Sequence, residues 1–83
     1  MRYLTLNVSD DVTIEIDNSM TGKETIMYNG EVVSEISTVL GGIHRFEKME
    51  NGELAKYEVR ISIKPILRVG FDIFRNNKVL LIC

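Results

Sequence analysis

Tryptophan is absent from this chain, and cysteine, proline and histidine occur once each, as Cys83, Pro65 and His44. A single cysteine excludes an intramolecular disulfide and fits a reducing, cytoplasmic setting. One His and one Cys cannot supply the four ligands of a structural zinc site. No apolar run is longer than Val79-Leu80-Leu81-Ile82-Cys83, far short of the roughly 20 residues that span a bilayer as a helix. Behind Arg2, polar residues interrupt the apolar ones in Tyr3-Leu4-Thr5-Leu6-Asn7-Val8, so no signal-peptide core is present. The expectation is a soluble, unprocessed cytoplasmic protein with no membrane partner. Helical patterning is scarce too. Only Val33, Ile36 and Leu40 would share a helical face, and they lie among Val, Ser and Thr residues that favour strands.

What remains fits one domain spanning residues 1–83. A chain of this size buries about 60–65% of its unfolded surface, and its stability is on the order of 4–12 kcal/mol. Apolar residues make up 45% and charged ones 27%, too apolar for intrinsic disorder. The net charge of −2 is unevenly distributed: residues 1–42 carry −5 and residues 43–83 carry +3. Two readings follow: a polar molecule with a basic face, or hairpins of the two halves interleaved so that the charges cancel. Alternation of basic with acidic residues favours the second.

The positive signal is period-two alternation broken by turns. Asn51-Gly52 is a preferred type I′ corner. It pairs Met49 with Leu54, Glu47 with Lys56 and Arg45 with Glu58 on one face, and Phe46 with Tyr57 and His44 with Val59 on the other. Opposite charges across the ladder contribute about 0.2–1 kcal/mol each. A three-residue loop at Ser9-Asp10-Asp11 sets Val8 against Val12, Leu6 against Ile14 and Leu4 against Ile16, whereas a two-residue loop would oppose Leu6 and Glu15. Asn29-Gly30 pairs Ile26 with Val33 and Met27 with Val32, and puts Glu24 opposite Glu35. A bulge near Ser34 would relieve that like-charge pair. Asn76-Asn77 pairs Ile73 with Leu80, Phe71 with Ile82, Phe74 with Val79 and Asp72 with Leu81, and Leu67 extends the apolar stripe. Pro65 marks a bend, and Gly41-Gly42 marks a corner. Hairpin spacing is too loose to define an internal repeat.

About eight short, hairpin-connected strands predict an all-β antiparallel β-sandwich. Its expected core is Leu4, Leu6, Ile14, Ile16, Phe46, Tyr57, Val59, Ile61, Val69, Phe71 and Ile73.

Catalytic constellations are weak, and no enzyme or cofactor is expected. A Cys–His pair would need His44 and the terminal Cys83, with no third orienting group singled out. Asp10, Asp11, Glu15 and Asp17 are the available carboxylates for a calcium loop or acid/base pair, yet Asp10-Asp11 is also good turn chemistry. Gly41-Gly42 lacks the spacing and following helix of a phosphate loop. Arg45, Lys56, Arg60, Lys64 and Arg68 form a basic set, but Glu47 and Glu58 interleave and no accessible Phe or Tyr is expected beside them, so nucleic acid is not an expected partner.

Two binding candidates remain. Phe74, Val79 and Leu81 form an apolar second face on the last hairpin, which is either covered within the chain or joins a homodimer or another protein. His44, next to Gly41-Gly42 and beside Phe46, would instead contact a small ligand in a pocket, or simply bond a backbone carbonyl. The leading expectation is a non-catalytic protein-interaction or assembly module, with small-ligand binding near His44 as the alternative.

The stretches Tyr28-Asn29-Gly30-Glu31-Val32-Val33-Ser34, Gly41-Gly42-Ile43-His44-Arg45-Phe46, Tyr57-Glu58-Val59 and Phe74-Arg75-Asn76-Asn77-Lys78 carry a resemblance over roughly residues 23–82. The chain resembles a group of short bacterial proteins and, more distantly, the β-sandwich of the Fas apoptotic inhibitory molecule. The resemblance implies an antiparallel β-sandwich with a non-enzymatic, interaction-type role. That molecule has further strands which this chain lacks, and no functional residue is carried over from it.

Overall fold

The computed structural model describes residues 1–64 and 68–83; the expected bend at Pro65 and the placement of Leu67 lie outside them. Eight strands follow in order: β1 (Arg2–Ser9), β2 (Val12–Asn18), β3 (Lys23–Tyr28), β4 (Glu31–Ser37), β5 (Gly41–Glu50), β6 (Glu53–Lys64), β7 (Arg68–Arg75) and β8 (Lys78–Ile82). They form two four-stranded antiparallel sheets, β1-β2-β3-β4 and β5-β6-β7-β8. The all-β, antiparallel class is therefore as the alternation requires, and Val32–Ser37 is strand. Both sheets are sequential meanders within two compact units, Met1–Val39 and Leu40–Cys83. Strands of the two halves do not interleave within a sheet, so the charge asymmetry of the sequence is not cancelled by strand pairing. One unit carries −5 and the other +3.

Each sheet buries one face. In the first, Val12, Ile14, Ile16, Ile26 and Tyr28 are buried; in the second, Phe46, Ala55, Tyr57, Val59, Ile61, Phe71 and Ile73. Leu4, Leu6 and Val69 are only half-buried. For Leu4 and Leu6 the reason is position, because β1 is an edge strand with a neighbour on one side only. Ile26, Tyr28 and Ala55 belong to the core although the alternation did not single them out.

The Asn51-Gly52 hairpin has the expected register throughout, from Glu50 opposite Glu53 to His44 opposite Val59. Both corner residues have positive φ, 53° and 81°, which matches the twist of the strands they join. Phe46 and Tyr57 stack with centroids 4.9 Å apart. At the far end of β5, Gly41 (φ +97°) lies so close to the backbone of Ile61 that a Cβ there would overlap its carbonyl oxygen.

The other three hairpins carry bulges that alter the expected pairs. Leu4 faces Ile16 and Leu6 faces Ile14 as required, but Ser9, not Val8, stands opposite Val12. Asp10 and Asp11 form a two-residue turn without positive φ. Such a turn mismatches strand twist, and the bulge at Val8 takes up the difference. In β3–β4, Met27 faces Val32, then Val33 bulges so that Ile26 meets Ser34 and Glu24 meets Ile36. The bulge thereby separates Glu24 from Glu35, which faces Thr25 and bonds Lys23 at 2.8 Å. In β7–β8, Phe74 faces Val79, then Leu80 bulges, so that Ile73 meets Leu81 and Asp72 meets Ile82. Cys83 exchanges both backbone bonds with Phe71.

These registers reveal an internal repeat that residue spacing hid. In both units the β-turn residue after the third strand is an Asn with positive φ, Asn29 or Asn76. Its N–H donates to a carbonyl on the second strand, Thr13 or Lys56, and its Oδ1 accepts the N–H of that same residue. Each fourth strand then bulges four residues after that Asn, at Val33 or Leu80. Superposing these registers matches Ile14 with Tyr57, Glu15 with Glu58, Asp17 with Arg60, Met27 with Phe74 and Leu4 with His44. Strand and connection lengths differ between the units, which is why a search for constant spacing misses the repeat.

Candidate functional site

Residues across an antiparallel ladder share a face, so the registers of β5–β8 determine what the solvent side of the second sheet presents. Arg45, Glu58 and Phe74 form one row across three strands, with Val79 next to Phe74. Arg60 and Asp72 form the adjacent row, ending in Ile82. The bulge at Leu80 moves Leu81 away from Phe74 and Val79, onto the face of buried Ile73, and puts Ile82 in its place. The expected apolar trio of Phe74, Val79 and Leu81 is thus corrected to Phe74, Val79 and Ile82. Val79 is 55% exposed and Ile82 63%, while Phe74 is half-buried.

Phe74 is shielded by a cation. The Arg60 guanidinium lies 5.1 Å from the ring centroid, an arrangement that contributes about 0.5–1 kcal/mol at an exposed site. An aromatic therefore does sit among the basic residues of this face, contrary to expectation. Pairing β6 with β7 brings it there, which no spacing within one hairpin encodes.

Glu58 is the electrostatic hub. Its two oxygens accept Nε–H from Arg45 at 2.9 Å and from Arg60 at 2.5 Å. Those donors, Arg60 first and Arg45 second, outweigh desolvation and hold its carboxyl below the ordinary value of 4.5. One carboxylate is shared between two guanidiniums, and Asp72 stands opposite Arg60, so these four charges balance across the two rows. Lys56 stands opposite Glu47 in the ladder, but its ammonium closes no ion pair among the described residues.

A cavity of about 330 Å³ opens on this face, lined by Lys56, Tyr57, Glu58, Arg60, Phe74 and Asn77. Its chemistry is two cations, an aromatic and an amide around a carboxylate already satisfied. It suits an anionic group flanked by apolar atoms.

His44 is elsewhere. It is fully buried on the opposite face, across from Val59, and does not line this cavity. Among the described residues, no buried side-chain polar atom lacks a hydrogen-bond partner. On the same buried side, at the rim, Glu50 accepts the Tyr57 hydroxyl at 2.5 Å and two Arg75 N–H groups at 2.7 and 2.9 Å. Cys83 is exposed, remote in environment from buried His44. Asp10 and Asp11 sit in the first turn and Glu15 and Asp17 on β2, where Arg2 bridges the latter two. No three His, Cys, Asp or Glu side chains converge as metal ligands among the described residues. No helix of the described structure is long and apolar enough to cross a membrane.

Compared with protein-family models, curated proteins and solved structures, the chain matches none. The reading of its function therefore rests on the chemistry of this sheet face.

Proposed function

We propose that this protein is a non-catalytic protein-interaction or assembly module that docks through the solvent face of β6–β8. The observation that carries this reading is the pair Val79 and Ile82, more than half exposed on an edge strand beside Phe74. Their neighbours on the buried side, Ile73 and Phe71, already satisfy the core. Apolar side chains on the outer face contribute nothing to that core, and each exposed edge strand is a pairing hazard unless a partner uses it. Two of the other edges carry charge outward, Glu31 and Glu35 on β4 and Arg45 and Glu47 on β5, whereas β8 turns Val79 and Ile82 to its outer face.

Sedimentation velocity of the full chain tests the reading. Association rising with concentration, and abolished by Val79→Lys or Ile82→Lys with the fold intact, is the expected result. A wild type that remains monomeric to millimolar concentration would overturn self-assembly. Association unaffected by either lysine would place the contact elsewhere.

A further inference from the structure

The repeated frame allows the two units to be compared position by position. The cavity residues Lys56, Glu58, Arg60 and Phe74 correspond to Thr13, Glu15, Asp17 and Met27 in the first unit. The frame tolerates Thr and Asp where the cavity has Lys and Arg, so those cations are not demanded by the meander itself. Across whole units the same divergence reads −5 against +3.

Charge is also polarised within the first unit. Its two cations lie away from the turn ends: Arg2 bridges Glu15 and Asp17, and Lys23 bonds Glu35. The opposite end holds the Asp10-Asp11 turn, with Glu31 on the neighbouring hairpin. Asn29 fastens the two turns together, its Nδ2 donating to the Asp11 carbonyl at 2.9 Å. The carboxylates of Asp10 and Asp11 meet no cation among the described residues. Val32, 51% exposed, supplies an apolar contact beside this acidic end.

We propose that the occupant of the basic cavity is a second copy of this chain, which presents its Asp10-Asp11 turn to Lys56 and Arg60 while Val32 packs toward Phe74 and Val79. This rests on the docking face proposed above and adds its partner and its geometry. The contact is heterologous: an acidic unit meets a basic one. A two-fold contact between two copies of the basic unit would instead bring together units of +3 each, which like-charge repulsion disfavours. Head-to-tail contacts leave a free acidic turn at one end and a free cavity at the other, so assembly continues into rings or open chains.

Complementation between two charge-reversed variants tests the geometry. Asp10→Lys/Asp11→Lys leaves the cavity intact, and Lys56→Glu/Arg60→Glu leaves the turn intact. All four positions are exposed, and matched circular dichroism melts establish that both variants fold. The neutral pairs Asp10→Asn/Asp11→Asn and Lys56→Gln/Arg60→Gln serve if a reversal unfolds. In sedimentation velocity the wild type associates, and the association weakens at least about tenfold between 50 and 500 mM salt, as a screened contact must. Each variant alone is monomeric. Their equimolar mixture regains association, because the intact turn of one meets the intact cavity of the other; with the neutral pairs, whose altered turn and cavity do not attract, the mixture stops at a one-to-one dimer. If the wild type associates but either variant does so equally well, or the mixture stays monomeric, the head-to-tail contact is refuted while the docking face of β8 still stands. A monomeric wild type refutes both.

Discussion

Alanine at Gly41 and at Gly52 separates backbone strain from steric overlap, because both glycines have positive φ and they differ in surroundings. Gly41 has φ +97° and Gly52 has φ +81°. At Gly52 an added Cβ meets nothing within 4 Å, whereas at Gly41 it runs into the carbonyl oxygen of Ile61, with the Cα of Ser62 at 3.0 Å. Gly52→Ala therefore incurs only the left-handed backbone penalty, about 1–2 kcal/mol. Gly41→Ala incurs that and must also lift β5 off β6 at Gly41–Ser62 and Gly42–Ile61, the first pairs of their ladder. Each backbone bond lost there costs about 0.5–1.5 kcal/mol, and Ile61, 4% exposed, gains solvent contact. The sum is about 3–5 kcal/mol, a large part of the stability of a chain this small. Urea unfolding at 25 °C measures both. In thermal melts, at ~4–8 °C per kcal/mol, Gly52→Ala falls by ~4–16 °C and Gly41→Ala by at least ~12 °C. Equal losses at the two sites would show that the close approach of β5 to Ile61 has no energetic weight, and the reasoning would fail.

Three further outcomes follow from the same geometry. Asn29→Gly and Asn76→Gly keep the positive φ of each corner but delete the side-chain bond to Thr13 or Lys56, and at Asn29 also the bond to the Asp11 carbonyl; each bond lost should cost about 0.5–1.5 kcal/mol, with the larger loss at Asn29, and no loss at either one would break the equivalence of the two units. Ile73→Ala, at a fully buried site, should cost about 2–5 kcal/mol, while Ile82→Lys on the outer face stays within about 0.5 kcal/mol; reversed magnitudes would refute the bulge at Leu80. The lowered pKa of Glu58 means that its bridge to Arg45 and Arg60 is intact above the ordinary carboxylate range and is lost as pH falls through the depressed value. Carbon-detected titration should show Glu58 protonating below the ordinary carboxylate value, and in an Arg60→Gln/Arg45→Gln variant the midpoint should rise.

How much of this was legible beforehand differs from hairpin to hairpin. The Asn51-Gly52 register, the Phe46–Tyr57 stack and the Arg45–Glu58 bridge follow from alternation and one turn type, since every pair lies at a fixed distance from the corner. Near Ser34 a like-charge conflict signalled a bulge, and Val33 provides it. No such conflict marked Leu80, because Leu80, Leu81 and Ile82 are interchangeable in polarity, and a slip among them leaves the pattern unchanged. For that reason alternation assigns Leu81 to the candidate surface where the structure has Ile82. The aromatic beneath Arg60 was missed because it comes from the next hairpin.

Sequence alone, then, determined that this chain is built of antiparallel hairpins, where they turn, and that its halves differ in charge. Turn chemistry and alternation are local, acting over two to ten residues. Only the tertiary structure decided that each half closes into its own sheet, so the charge difference persists between units, and which apolar side chains of β8 face water. Both depend on pairing between strands distant in sequence, and a single bulged residue changes the face of everything after it.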